Sequence, residues 1–511
     1  MALPGLLSES TAWRPPSISE GDPAIDDLHL DQVAEQAAAG YRAKELIRRV
    51  LLTRADSKAT IQWRHEVFSD LEDASLLDKL TKALEGFGEV HQHWSESQLM
   101  RMEWQQQGWM LDAVDIYCRT VQDLHRHLQG LGLESRALRS FRDYLASYVA
   151  SATFAGLLRD TSERKHELSS IRYCLHIDGP QVDVSRYEGQ PDHRDEIVAI
   201  FQRFNHDPVR DYRVDYRTGP GMNHVQEQIL LRVVELFPGP FARLDSFCRQ
   251  HSSFFDRGIR RFEEEIQFFL SFLDYIRPMR NAGLKFCLPE IDEDTHDVSA
   301  ADAFDLALAA KLVPRGQQVV TNDYALLGSE RILVISGPNQ GGKTTMARMF
   351  GQLHHLGCVG CPVPGTQVRV HFFDRLYTQF ERAEDPTKTL GKLEEDLLRI
   401  QAVLREATPH SVVIMNELFT STTLTDAGYL GKKVLAKVVQ LGLLGVYVTF
   451  LDEMASFDPS VVSMVASVDP ANPAERTMKV VRGPADGRAY ALAIADKHGL
   501  SYEDVMKRVP E

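Results

Sequence analysis

Several things are scarce in this chain of 511 residues, and each scarcity closes off a class of protein. Six cysteines over such a length cannot build a disulfide framework. No apolar run approaches the ~18–20 residues needed to cross a bilayer. The opening residues carry Glu9, Glu20 and Asp22 and no apolar stretch, so they do not read as a secretory signal. Positive charge is short as well: 57 Lys+Arg against 72 Asp+Glu leave a net charge of −15. That balance argues against a surface binding nucleic acid everywhere by electrostatics, and leaves room only for a local basic groove. Short-period repeats and low-complexity tracts are missing too. A cytoplasmic protein with no membrane contact is expected.

What is present describes an ordinary globular protein, 43% hydrophobic and 25% charged. The chain is too long for one core, so about two to four domains are expected. Residues 1–24 mix Pro, Gly, Ser and acidic residues without periodicity and read as a flexible arm. Residues 25–300 read as a mainly helical region. Met110, Val114, Tyr117, Val121, Leu124 and Leu128 step by four and three, the stripe of a long helix with a buried face. A small β-containing insertion is expected at about 165–221. In it, Ile171–Asp178 and Gln181–Tyr187 flank Gly179-Pro180 as a hairpin, and 212–216 is a further short strand. A second stripe of Phe255, Ile259, Phe262, Ile266, Phe269, Leu273 and Ile276 runs up to Pro278. Glu290 to Asp297 reads as an acidic linker. From 301 to 511 strands and helices alternate, which predicts an α/β domain with a mostly parallel sheet.

The strongest signal lies in that last region. Arg331–Ser336 is an apolar run fit for a buried strand. It leads into Gly337, Pro338, Asn339, Gln340, Gly341, Gly342, Lys343, Thr344 and Thr345, and then into a helical run. This is G-x-x-x-x-G-K-[ST] in its strand–loop–helix setting. Glycines let successive backbone N–H groups point at phosphate oxygens, and the helix N-terminus adds its positive dipole. Lys343 is the candidate to neutralise the phosphates, and Thr344 to ligate Mg²⁺. The expected cofactors are therefore ATP, with GTP the alternative, and Mg²⁺.

A second apolar strand, Ser411–Met415, ends in Asn416-Glu417. P-loop enzymes place an acid here for the metal shell and a carboxylate nearby for the attacking water. Glu417 suits the second role as general base. Asn416 holds the metal position with an amide, whose missing charge would weaken Mg²⁺ coordination by roughly 1–3 kcal/mol. Ser421, Thr422 and Thr423 then form a hydroxyl-rich loop before a helix over Ala427–Val439. By spacing they serve equally as phosphate donors or as an N-cap cluster.

The nine-residue loop resembles the P-loop of the MutS family of DNA mismatch repair ATPases. Thr321-Asn322-Asp323 before it and the run from Ala489 to Ser501 are similar to the same family. Gln62 to Phe68 resembles the opening of its helical core. The resemblance is specific over about 320–510 and architectural over about 25–300. It implies an ABC-type ATPase domain with a C-terminal helical segment, preceded by a core and lever region bearing a clamp. It further implies a homodimer with two ATP sites at the interface, Ser421 and Thr422 reaching the partner's nucleotide. Other repair proteins are possible partners on the same ground.

The chain also departs from the family. Only about two dozen residues precede the helical core, and none of them fits the family's Phe-x-Glu wedge; Phe262-Glu-Glu264 has the letters but falls inside a helix. Direct mismatch recognition is not expected. Residues 161–217 hold nine Lys/Arg and eleven Asp/Glu, giving no excess charge for duplex phosphates. Tyr173, Tyr187, Tyr212 and Tyr216 are available to stack on bases but are of a type that strands use for packing. DNA is thus a partner implied by resemblance and unsupported by local charge. Val446–Thr449 leads to Phe450 where the family's histidine stands, so hydrolysis would be slow or use Asp452 or Glu453. Cys358 and Cys361 form a lone C-x-x-C, weak evidence for zinc. No metal site is assigned to His91, His93, His125, His127, His354 or His355. Two readings follow: an ATP-driven dimeric switch acting in DNA repair or recombination, or a slow or non-catalytic nucleotide-gated scaffold for proteins.

Overall fold

The computed structural model describes residues 5–15, 17, 21–179, 181–190, 221–381, 391–469 and 476–485. The first half is helical: α1 (Pro23–Asp27), α2 (Leu30–Ala37), α3 (Lys44–Leu51), α4 (Lys58–Asp70), α5 (Ala74–Leu99) and α6 (Glu103–Gln129). Next come α7 (Arg136–Val149), α8 (Ala152–Ser169), strands β1 (Tyr173–Asp178) and β2 (Gln181–Arg186), then α9 (His224–Leu236), α10 (Pro238–Gln250) and α11 (Arg257–Asn281). The chain forms two compact units, one of residues 1–73, 133–139 and 264–511, the other of 74–132 and 140–263. The grouping is not the linear one expected at about residue 300, because the first helices and the end of α11 pack with the C-terminal half.

In the second unit the expected stripe is the buried face of α6, from Met110 to Leu128. Tyr117 stands at its centre, its ring 4.8 Å from that of Phe255, and its hydroxyl accepts from the Asp256 backbone N–H at 3.2 Å. β1 and β2 pair antiparallel from Tyr173↔Arg186 to Asp178↔Gln181, the hairpin that the turn at 179–180 predicts. The strand expected at 212–216 lies outside the described residues, as do Tyr212, Tyr216 and the C-terminal segment 489–501. Pro278 does not end its helix: α11 continues to Asn281, since a proline in a last turn forfeits a single hydrogen bond. No helix among the described residues is long and apolar enough to cross a membrane.

The first unit corrects the reading of the N-terminus. Leu6, Leu7 and Ser8 are buried, not part of a loose arm. Trp63 Nε1 donates to the Gly5 carbonyl at 3.0 Å, Arg64 Nε to that of Leu7 at 2.9 Å, and the Leu6 N–H to the Glu265 carboxylate. Two adjacent leucines carry enough apolar surface to dock a segment whose composition otherwise suggests disorder.

Beyond α11 the elements are β3 (Phe286–Cys287), β4 (Glu290–Asp292), β5 (Val298–Ala303), α12 (Leu306–Leu312), β6 (Asn322–Leu326), β7 (Ile332–Ser336) and α13 (Lys343–Val359). There follow β8 (Val363–Pro364), β9 (Gln367–His371), β10 (Leu376–Gln379), α14 (Lys392–Glu406), β11 (Val412–Asn416) and α15 (Leu424–Leu441). The described chain closes with β12 (Leu444–Val448), β13 (Val461–Val468) and β14 (Arg476–Arg482). The main sheet has the order β10-β11-β12-β7-β13-β14, parallel throughout except for the antiparallel edge strand β14. Val413 and Met415 pack in the cluster of Val434, Leu435 and Val438 on α15, while Ile414 meets α13 beside Gly351. Helices therefore cover both faces, which is why β7 and β11 are apolar without alternation.

The supposed acidic linker is a second correction. Glu290–Asp292 is a strand of a separate four-stranded sheet, β4-β9-β5-β6, with Asp292 in register with His371. A buried polar knot fixes α13 under the main sheet. Gln352 Nε2 donates to Asp305 Oδ1 and to the Leu28 carbonyl, both at 2.9 Å, and its Oε1 accepts from the Leu306 N–H at 2.8 Å. Arg348 pairs with the same Asp305 at 2.9 Å. Truncating Gln352 strands the Leu28 carbonyl and the Leu306 N–H away from water, while Asp305 keeps Arg348 and the Leu308 N–H. Gln352→Ala is expected to cost about 2–3 kcal/mol in urea denaturation, whereas Arg49→Ala, on an exposed helical pair, should change stability by less than about 0.5 kcal/mol.

Candidate functional site

β7 delivers the chain to the loop at the centre of the sheet, and α13 begins at Lys343 itself. Backbone geometry accounts for the glycines. Gly337 and Gly342 hold φ of +112° and +92°, and a side chain at Gly342 would meet the Met478 carbonyl at 3.1 Å. A Cβ at Gly341 would lie 2.9 Å from that of Ala466 and 3.0 Å from the Pro338 carbonyl. β13 and β14 thus press on the loop from outside, and only glycine leaves room for both.

Inside the loop Lys343 is almost fully buried. Its Nζ donates to the Gly337 carbonyl at 2.8 Å and to Asn339 Oδ1 at 3.1 Å, and Glu417 lies 3.8 Å away. Burial lowers its pKa, Glu417 works against that shift, Arg476 adds to it and Asp452 opposes it. Thr344 Oγ1 donates to Asn416 Oδ1 at 3.0 Å, so the hydroxyl and the strand-end amide expected at a metal position are in contact. Glu417 follows with φ +52°, its N–H bonded to the Val448 carbonyl at 2.9 Å. A glutamate in left-handed conformation at a strand end is strained, and such strain gathers at sites that need one exact direction for a side chain.

A cavity of about 610 Å³ opens beside this loop. Asn339, Gln340, Gly342, Lys343, Thr344, Thr345 and Glu417 line it, together with Asp305, Leu308, Leu312, Gln318, Val319, Val320, Asn322 and Met478. The apolar part of this lining had no local signature in the sequence, because it comes from α12, the loop after it and β14. Asn322 ties these pieces together: its Oδ1 accepts from the Val480 N–H at 2.7 Å and its Nδ2 donates to the Met478 carbonyl at 3.3 Å. Ser421 and Thr422 do not line this cavity. Thr423 is the N-cap of α15, accepting from the Asp426 N–H, which resolves one of the two roles open to the hydroxyl loop.

Phe450 is 40% exposed just past β12 and offers no donor. Of the two acids after it, Glu453 is held by Lys432 at 2.7 Å, while Asp452 acts on Lys343. Cys358 and Cys361 are fully buried, and burial pushes the Cys358 thiol up to about 12 and that of Cys361 higher still. Neutral thiols of that kind are poor metal ligands and poor nucleophiles.

A central strand, a glycine loop folded around a buried lysine, a helix that starts at that lysine and a parallel strand two positions away ending in Asn416-Glu417 define a P-loop ATPase domain. Residues 333–509 match the family model of MutS domain V, so this part of the chain is a MutS-type ATPase domain. The DNA mismatch repair protein MutS of Halalkalibacterium halodurans is 26% identical over 250 residues, covering 44% of this chain and 28% of that protein. The endonuclease MutS2 of Thermus thermophilus is 31% identical over 194 residues, 37% of this chain and 25% of its own length. That of Gemmatimonas aurantiaca is 29% identical over 204 residues, 39% and 24% respectively. The matched stretch spans about a quarter of the length of these relatives.

The contact between Gly341 and Ala466 yields a paired test. Gly341→Ala should lower the thermal midpoint, at a cost of about 1–3 kcal/mol. Adding Ala466→Gly should recover part of that loss, since it removes the nearer clash and leaves the Pro338 carbonyl. A double variant no more stable than Gly341→Ala would show that β13 does not set the loop's position.

Proposed function

We propose that this protein binds ATP with Mg²⁺ in the cavity beside Lys343, hydrolyses it, and uses the nucleotide state of a dimer to act in DNA repair or recombination. The observation that carries the reading is the meeting of Lys343, the Thr344–Asn416 pair and Glu417, of which Lys343, Thr344 and Glu417 line one cavity together with several apolar side chains. The residues fit the nucleotide. Lys343 holds a positive charge between the Gly337 carbonyl and Asn339 Oδ1 with Arg476 nearby, which suits a polyphosphate. Leu308, Leu312, Val319, Val320 and Met478 offer a slot for a flat apolar base.

Bound Mg²⁺–ATP would supply the electrophilic phosphorus and the charge that polarises it. The chain's own residues divide the remaining work. Lys343 neutralises phosphate oxygens, and the Thr344 hydroxyl with the Asn416 amide oxygen holds the metal's side of the site. Glu417, aimed by its left-handed backbone, takes the proton of a water. The Phe450 side chain can donate no hydrogen bond, so turnover is expected to be slow and to rest on Glu417, with Asp452 as a further acid acting on Lys343. That feature, together with Asn416, favours the second reading, a nucleotide-gated scaffold for protein partners. In the first reading Ser421 and Thr422, exposed or half-buried and outside the cavity of their own chain, would complete the site of a partner subunit.

Steady-state ATP hydrolysis with and without duplex, single-stranded and branched DNA tests the proposal. Glu417→Gln should keep nucleotide affinity and lose at least about tenfold in turnover, and Lys343→Ala should lose binding. Asn416→Asp should lower the Mg²⁺ concentration needed for half-maximal activity by about tenfold, the equivalent of a charge-assisted contact. Stimulation by one DNA form, falling steeply as salt rises, would favour the switch. Binding without turnover, indifferent to every DNA, would favour the scaffold, and absence of nucleotide binding would overturn both.

A further inference from the structure

Away from the phosphate loop, three histidines from separate stretches of chain meet near the start of β11. His296 lies in the turn between β4 and β5, His371 is the last residue of β9, and His410 precedes β11. Their rings stack, with centroids 4.2 Å apart for His296–His371, 5.5 Å for His296–His410 and 5.7 Å for His371–His410. One ring nitrogen of each lies within 4.8 Å of those of the other two.

Ring stacking alone leaves this cluster unexplained. His371 is 0% exposed, and neither of its ring nitrogens has a hydrogen-bond partner among the described residues. A buried imidazole with both nitrogens idle is costly, so an unfilled valence points at a ligand. The surroundings are built as a metal site's are. Asp292 Oδ2 stands 3.7 Å from His371 Nδ1, close enough for its charge to orient the ring without a direct hydrogen bond. Asp292 is itself fixed by the Thr295 hydroxyl at 2.7 Å, the His296 N–H at 2.8 Å and Arg369 at 2.8 Å. His296 Nε2 bonds to the Pro409 carbonyl at 3.0 Å, which leaves its Nδ1. Metal-bound histidines commonly direct their second nitrogen at a carboxylate or a backbone carbonyl in this way.

Two further features agree. His296 holds φ +61°, a strained conformation that its N–H bond to Asp292 maintains. The loop carrying His410 is pinned because Thr408 Oγ1 and Ser411 Oγ both donate to Asp374, at 2.5 and 2.7 Å.

We propose that His296, His371 and His410 bind one divalent transition-metal ion of the zinc class, with Asp292 and the Pro409 carbonyl orienting two of the rings. Three imidazoles suit Zn²⁺, and the exposed side of His410 leaves the fourth position to solvent. A tetrahedral site with bonds of ~2.0–2.1 Å needs nitrogens about 3.3 Å apart, a closure that exposed His410 can supply by turning. The ion would clamp the start of β11 to the β4-β9 edge of the smaller sheet.

The test is calorimetric titration of chelator-stripped full-length protein with Zn²⁺ in excess Mg²⁺, repeated on His410→Asn and His296→Gln. The wild type should bind one equivalent and gain thermal midpoint on doing so. His410→Asn, at an exposed position that does not endanger the fold, should bind at least tenfold more weakly and lose that gain. His296→Gln should weaken binding similarly while circular dichroism shows it folded. A wild type without one-equivalent binding, or variants that bind Zn²⁺ as the wild type does, would overturn the proposal.

Discussion

A buried ammonium organises the C-terminal half of this protein. Lys343 is 4% exposed at its side chain, and a cation so far from water must find compensation in fixed dipoles. The Gly337 carbonyl and Asn339 Oδ1 provide it, and both can reach Nζ only because the loop turns through a left-handed glycine. The loop's curvature and the lysine's burial are therefore one constraint. β13 and β14 close over the outside of the same turn, so the sheet's antiparallel edge holds the loop in shape.

The sheet order follows from what this constraint needs around it. β7 sits between β12 and β13, which brings the loop out near the middle of the sheet. The hydrogen bond from Thr344 to Asn416 crosses to the end of β11, two strands away, and Glu417 then turns back to donate to the Val448 carbonyl at the end of β12. The ends of three parallel strands are thus stitched by backbone and side-chain hydrogen bonds into one polar rim. Underneath, Gln352 and Asp305 tie α13 to α12, so the helix that begins at Lys343 cannot shift without disturbing the apolar lining of the cavity.

What could be read in the sequence divides by range. The loop, β7, β11 and Asn416-Glu417 were legible because glycine spacing, lysine and strand hydrophobicity all lie within a few residues of one another. The long helical stripes were legible for the same reason of local periodicity. Leu6 and Leu7 were misread because a short apolar pair in a proline-rich segment gives no period, and only the pocket beside Trp63 and Arg64 shows where it goes. Glu290–Asp297 was misread because acidic composition suggested solvent, whereas Asp292 is 6% exposed and paired with Arg369. Asn322 and Met478 stand on opposite sides of the whole P-loop segment, and His296, His371 and His410 are as widely scattered. No window holds two members of either group, so only the tertiary fold assembles them.

The charges around Lys343 bear on what the site favours. Lys343 and Arg476 contribute two positive charges, Glu417 and Asp452 two negative ones, and Asn416 contributes none. An aspartate at 416 would tip this balance negative and make a polyphosphate unwelcome until a metal ion had neutralised the carboxylate. The amide removes that requirement. It keeps the hydrogen bond to Thr344 and so the geometry of the rim, but it loosens the coupling between anion and metal. Binding a nucleotide and arranging its metal for hydrolysis become separable in such a site, and the balance shifts toward occupancy over turnover. Under the proposed reading Phe450 would point the same way, since a phenyl ring offers no hydrogen bond to charge developing in a transition state.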